Sequence, residues 1–181
     1  AGGWAPGRGT PAGVGGLNGR SPGPIPTDTR LLIVSYDVLD AWLSTIFRAR
    51  PVGVVYDEIH LSKHYAARRS RACMALATRT PIRLGLSGTP LLNRPAELAA
   101  PLAILGRLAD FGGVDRFMTR YCDGHLGPHG YEAKGATRLD ELHDELRRRC
   151  YLRRERAEIM GELPPVTRVL VPLPLDPAAG Y

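Results

Sequence analysis

Asp57-Glu58-Ile59-His60 sets two carboxylates and an imidazole within one turn of chain, directly after the apolar run Val52-Gly53-Val54-Val55-Tyr56. If that run is a strand, the acids stand at its carboxyl end, where open α/β sheets bind ligands. Two adjacent acids are costly to bury unless a cation or a proton transfer uses them. A hydrophobic strand ending in Asp-Glu suits nucleotide hydrolysis. The Asp accepts the waters of a phosphate-bound Mg²⁺, and the Glu polarises an attacking water. The plain alternative is an acidic pair that opens the next helix.

A second group lies in Leu84-Gly85-Leu86-Ser87-Gly88-Thr89-Pro90. A strand ending in Ser-Gly-Thr places two hydroxyls and a flexible backbone beside the same sheet edge, within reach of His60 or Glu58. It is not a nucleophile elbow, because Gly-x-Ser-x-Gly needs Gly where Thr89 stands. Two metal readings compete with this one. Cys122-x-x-His125-x-x-x-His129 offers three zinc ligands with Asp123 as a poor fourth, against a plain reading as polar residues of a glycine-rich loop. His60 and His64 beside Glu58 suggest a zinc-dependent hydrolase, but in the order Glu-x-His rather than His-Glu-x-x-His.

The elements that must hold these groups can be read from periodicity. Leu31 to Tyr36 is a strand, and Asp37 is placed to cap a helix carrying Val38, Leu39, Trp42, Leu43 and Ile46 at helical spacing. Arg50-Pro51 stops that helix, and Val52–Tyr56 is the second strand. An Ala- and Arg-rich helix follows from about Ala66 to Ala77, then a strand from Ile82 to Leu86 and a helix from Pro95 to about Leu108. Strands that alternate with helices and are almost continuously apolar argue a parallel sheet covered on both faces. Residues 1–30 are rich in Gly and Pro and read as loop or edge. The last third reads as a short helix from Val114 to Tyr121, turns from Asp123 to Gly135, and a helix from Leu139 to Cys150. That last helix has Leu139, Leu142, Leu146 and Cys150 on one stripe, and Val166 to Leu173 is a final strand-like run.

Composition bounds the rest. The 181 residues are 44% hydrophobic, enough for a core, and three scattered Cys give neither a disulfide framework nor a Cys-x-x-Cys pair. No membrane-length apolar run occurs, which points to a cytoplasmic protein with no membrane partner. The net charge is +6, and all basic residues but Lys63 and Lys134 are Arg. From Leu61 to Ala96 there are seven basic residues and no acid, and Arg147–Arg156 holds a second cluster. Blocks of one sign suit a polyanion, though a solvated Arg-rich face explains either block equally well.

Taken together, the chain resembles a Swi/Snf-type superfamily-two helicase-like ATPase, nearest its annealing-helicase branch. Asp57-Glu58-Ile59-His60 with Lys63 resembles motif II, and Leu86-Ser87-Gly88-Thr89-Pro90-Leu91-Leu92-Asn93 resembles motif III. Ile33-Val34-Ser35-Tyr36-Asp37-Val38-Leu39 is similar to the strand and Tyr-Asp turn that this family places near DNA. Glu97-Leu98, Phe117-Met118-Thr119-Arg120-Tyr121-Cys122, Leu152-Arg153-Arg154 and Glu162-Leu163-Pro164-Pro165 follow in the family's order. Ile59, Ser87, His64 and Arg156 depart from its usual residues, and none of these removes a catalytic acid.

The resemblance implies an α/β fold of the RecA-like, P-loop NTPase type. It would be a three-layer parallel sheet, incomplete at its N-terminus, followed by a mostly helical exit segment. Residues 1–30 would be a Gly/Pro-rich loop or truncated edge. Residues 31–110 would be the later half of the first ATP-binding domain, and 111–181 a helical segment leading toward an absent second motor domain. The resemblance makes Glu58 the catalytic base, Asp57 the Mg²⁺ ligand through water, and His60 the coupling residue. Ser87, Gly88 and Thr89 would relay the nucleotide state, and Ser35, Tyr36, Lys63 and Arg69 would face nucleic acid. ATP and Mg²⁺ are the implied cofactors. Double-stranded or branched DNA and a second RecA-like domain are the implied partners, in a cytoplasmic protein that is nucleoid-associated if prokaryotic. No Gly-x-x-x-x-Gly-Lys-Ser/Thr loop occurs, so the isolated chain is expected to bind ATP poorly and to be inactive alone. The rival is a helicase-like module that binds DNA or a partner and hydrolyses nothing.

Overall fold

The computed structural model describes residues 3–5, 12–88, 94–128 and 130–154. The chain divides into two compact units, Ala1–Cys150 and Tyr151–Tyr181. In the second, Tyr151–Arg154 are described and carry no regular structure. The strand-like run Val166–Leu173 and the Glu162–Pro165 segment lie outside the described residues, as do Thr89, Asn93 and His129.

The first unit is α/β. Strands β1 (Gly3–Ala5), β2 (Val14–Asn18) and β3 (Leu31–Val34) form one sheet. In it β1 runs antiparallel to β2, and β2 parallel to β3 with Val14 opposite Leu31. Strand thus replaces loop at two places within residues 1–30. The glycines of Val14-Gly15-Gly16-Leu17-Asn18 are poor strand formers, and pairing on both edges overrides that preference. Strands β4 (Gly53–Tyr56) and β5 (Ile82–Gly85) form a second, parallel pair with Gly53 opposite Ile82 and Tyr56 opposite Gly85.

Helix α1 (Leu39–Ala49) buries Leu39, Trp42 and Ile46, the helical spacing seen in the sequence. It ends at Arg50 in the left-handed conformation (φ 50°), immediately before Pro51. Its start differs from expectation. Val38 occupies the cap position with no side-chain bond, and Asp37 instead accepts from Arg69 at 2.7 Å. Helix α2 (Arg68–Thr78) buries Ser70, Ala72, Cys73, Leu76 and Ala77. Trp42, Ile46, Tyr56, Ile59, Cys73 and Leu76 then close a single core.

Among the described residues the parallel pairs β2–β3 and β4–β5 stand as separate sheets and not as one continuous sheet. No hydrogen-bond ladder joins β3 to β4 among the described residues. A cavity of about 1040 Å³ touches both, with Leu32 and Val34 on one side and Val54 and Tyr56 on the other. Alternation along each strand also leaves one face bare. Tyr56 points to α2, where its hydroxyl donates to the Cys73 carbonyl at 3.0 Å. On the opposite face Val55, Ile82, Leu84 and Leu86 are 46–66% exposed.

The remaining elements form a second core. The helix expected over 95–108 is broken into a 3₁₀ turn at Pro95–Leu98 and α3 (Ala99–Ile104), with Gly106 at φ 71° ending the run. After a further 3₁₀ turn, Leu108–Phe111, come α4 (Gly113–Tyr121), a short hairpin of β6 (His125–Gly127) and β7 (Gly130–Glu132), and α5 (Leu139–Arg149). The hairpin lies within the turn-rich stretch expected from Asp123 to Gly135. Phe111 and Phe117 meet edge to face at 5.9 Å. Of the predicted α5 stripe, Leu142 is buried and Leu146 packs on this core, whereas Leu139 and Cys150 are exposed. Glu141 ties α5 to α4 by accepting from Arg120 at 2.6 and 2.8 Å and from the Tyr121 hydroxyl at 2.9 Å.

Candidate active site

The acid pair stands where β4 ends. Asp57 and Glu58 form the turn out of the strand, both exposed, and Ile59–Ser62 follow as a 3₁₀ turn. This turn is fixed from several directions. Ile59 is buried in the core, and its N–H donates to the Leu86 carbonyl at 3.0 Å. The Leu86 N–H in turn donates to the Tyr56 carbonyl at 2.9 Å, so the β4–β5 ladder continues into the site. Ser70 of α2 donates to the Ser62 carbonyl at 2.8 Å and pins the far end of the turn.

Glu58 itself adopts φ 49°, ψ 50°, the left-handed region. For a residue with a Cβ that costs about 1–2 kcal/mol, and it persists only where neighbouring contacts hold it. The Glu58 N–H donates to Asp57 Oδ1 at 3.1 Å. The Asp57 carbonyl accepts from the Tyr36 hydroxyl at 2.7 Å, and partial burial pushes that phenol up from its ordinary pKa.

Three side chains converge beside this turn. His60 Nδ1 lies 3.1 Å from Glu58 Oε2 and 2.8 Å from Ser87 Oγ, and the Ser87 hydroxyl is 3.5 Å from the same carboxylate oxygen. A carboxylate this close favours the tautomer with the proton on Nδ1, since an unprotonated nitrogen would set two lone pairs against each other. The arrangement is not a nucleophile triad. Acid and hydroxyl share one ring nitrogen, whereas a triad needs them on opposite nitrogens. Through His60 and Ser87 the Glu58 carboxylate is linked to the end of β5.

The donor chemistry fits a hard cation. Asp57 offers an exposed carboxylate, and no Lys or Arg is paired with it or with Glu58 among the described residues. Of the candidate zinc set Cys122, His125 and His129, the last lies outside the described residues. Among the described residues no three His, Cys, Asp or Glu side chains gather in a metal-binding group. Cys122 is fully buried with burial holding its thiol up at about 11, and His125 Nδ1 contacts the Asp123 carbonyl at 2.7 Å.

The residues assigned to nucleic acid are placed as follows. Lys63 donates to Glu97 at 3.2 Å, tying the acid turn to the 3₁₀ turn before α3. Arg69 donates to Asp37 at 2.7 Å and lies 5.8 Å from the centre of the Tyr36 ring. Ser35 is exposed, with its hydroxyl accepting the Asp37 N–H at 3.3 Å. Gly88 has open space where a Cβ would stand, and Thr89 lies outside the described residues. Tyr36, Arg69 and Glu97 therefore support the acid turn, through the Asp57 carbonyl, the Leu61 carbonyl and the Lys63 side chain respectively, bonds between distant elements that leave no spacing signal. Among the described residues no helix is long and apolar enough to cross a membrane.

The pattern of the SNF2-related domain matches residues 20–179. The chain is 31% identical over 155 residues to the SWI/SNF-related matrix-associated actin-dependent regulator of chromatin subfamily A-like protein 1 homolog of Caenorhabditis elegans, covering 84% of this chain and 22% of that protein. It is 31% identical over 169 residues to the DNA annealing helicase and endonuclease ZRANB3 of Mus musculus, covering 89% of this chain and 15% of that protein. The Drosophila melanogaster homologue of the first is 32% identical over 152 residues, 83% of this chain and 20% of that protein. The chain thus spans about a fifth or less of the length of these relatives.

Proposed function

Because this chain belongs to the SNF2-related family of Swi/Snf-type, superfamily-two helicase-like proteins, we propose that it is part of a DNA-dependent ATPase that couples hydrolysis to movement along, or remodelling of, DNA. The observation that carries this reading is the Glu58–His60–Ser87 contact at the carboxyl ends of two parallel strands. Glu58 polarises the attacking water, and its carboxylate is aimed by the strained turn and by His60. Asp57 holds Mg²⁺ through water when the nucleotide is bound, and the ion supplies charge neutralisation on the phosphates. Ser87, Gly88 and Thr89 pass the change at His60 on toward the DNA side, to which Ser35, Tyr36, Lys63 and Arg69 belong. On this reading the DNA is double-stranded or branched, and the protein is cytoplasmic, or nucleoid-associated in a prokaryote.

The fold proposal is a RecA-like three-layer sheet over residues 31–110, with 111–181 leading to a second motor domain. Two observations support it: the cavity against β3 and β4, which leaves room for a further strand, and the bare face of Val55 and Leu84, which a helix would cover. The 181 residues hold no Gly-x-x-x-x-Gly-Lys-Ser/Thr loop, so on this reading the isolated chain has no useful ATP affinity.

The test is Glu58→Gln in a protein that carries this chain with a complete nucleotide site. DNA-stimulated hydrolysis is expected to be abolished while nucleotide binding survives. Unchanged hydrolysis removes Glu58 from its role. A chain that crosslinks DNA yet never hydrolyses ATP, with a phosphate loop supplied, would point to the non-catalytic binding module.

A further inference from the structure

Resting on that hydrolytic reading, we propose that Tyr36 is a positioning residue for Glu58, acting through the peptide bond between Asp57 and Glu58. Tyr36 follows β3, which shares no ladder with β4 among the described residues, yet its hydroxyl donates to the Asp57 carbonyl at 2.7 Å. The N–H of the same peptide unit donates to Asp57 Oδ1 at 3.1 Å, so the unit is held at both ends.

A planar peptide rotates only through the ψ of the residue before it and the φ of the residue after it. Here those are Asp57 ψ and Glu58 φ, and the latter stands at 49°. Without the phenol, the carbonyl loses its partner and the peptide is free to turn toward a negative φ at Glu58. That rotation carries the Glu58 side chain off its line to His60 and Ser87. The tyrosine is itself held in place. The Arg69 guanidinium sits 5.8 Å from its ring centre, donates to Asp37 Oδ1 at 2.7 Å, and reaches the Leu61 carbonyl at 3.4 Å. One arginine thus grips both the residue after Tyr36 and the turn after the acid pair. Movement of the Ser35–Asp37 segment has a direct route to the acid pair that bypasses His60.

Tyr36→Phe keeps the ring and removes only the bond. In a protein that carries this chain with a complete nucleotide site, turnover is expected to fall about tenfold or more with the ATP KM within about twofold, because misalignment affects the reacting geometry and spares binding. In the 181-residue chain, amide exchange over Glu58–Leu61 is expected to rise about tenfold while α5 is unchanged. Turnover within twofold of the parent overturns the proposal, and so does unchanged exchange in the turn. Turnover and KM that worsen together with faster exchange everywhere also overturn it, in favour of a packing role. Glu58→Gln run in parallel separates the two claims. If that variant still hydrolyses ATP, the hydrolytic reading falls, whereas a dead Glu58→Gln beside an active Tyr36→Phe removes the positioning role alone.

Discussion

His60 Nδ1 lies 2.8 Å from the Ser87 hydroxyl, which joins the turn after β4 to the end of β5 by side chains as well as by the ladder. Two groups that act through one contact should not contribute independently. His60→Ala and Ser87→Ala are each expected to lower DNA-stimulated turnover by about tenfold, and the double variant is expected to match the worse single one. A double-mutant cycle on turnover checks this, and effects that multiply would separate the two residues.

Trp42 is fully buried in the core, and its indole N–H donates to the Gly19 carbonyl at 2.9 Å, anchoring the end of β2 to α1. Trp42→Ala is expected to cost about 3–5 kcal/mol through the cavity it leaves. Trp42→Phe is expected to cost about 1–3 kcal/mol, since it strands a carbonyl and removes part of the ring. Urea unfolding measures both, and a Phe variant as stable as the parent would show that the Gly19 bond contributes nothing.

Helix α5 should carry a pH response near its C-terminal end. Hydrogen bonds from Arg148 and Arg149 hold the Glu145 carboxyl at about 2, below the ordinary 4.5. The folded state therefore binds fewer protons than the unfolded one. Its stabilisation is fully present above about 4.5 and is lost as pH falls toward about 2. The expected outcome is a loss of α5 helicity over that window, seen by circular dichroism and absent in Glu145→Gln. Both arginines are at the surface, so about 1 M salt should shrink the effect. A Glu145→Gln variant with the same acid profile would assign the loss elsewhere.

What could be read from the sequence was whatever depends on local pattern. Trp42 and Ile46 recur at helical spacing and are buried, and the β4 and β5 runs are strands with parallel pairing. Glu58, His60 and Ser87 were nominated by residue type and meet in space, with Asp57 beside them in the same turn. What escaped depends on long-range partners. Val14–Asn18 is a strand because β1 and β3 pair with it, against its own glycine content. Asp37 has the chemistry of a helix cap, yet the Arg69 guanidinium from α2 claims it. The Tyr36 bond goes to a main-chain oxygen, which no side-chain motif can announce.

The bare aliphatic face of β4 and β5 makes the solitary chain a colloid whose dispersion depends on its charge. Val55, Ile82, Leu84 and Leu86 offer adhesive surface, and a net charge of +6 supplies the opposing repulsion. Salt at about 0.15 M shortens that repulsion to about 8 Å, and sulfate or phosphate also strengthens apolar contact. Buffers chosen to strip bound polyanions from an arginine-rich protein are thus the ones that drive this chain to clump. It keeps best in dilute electrolyte, well below the isoelectric point of about 9.6 that its composition gives.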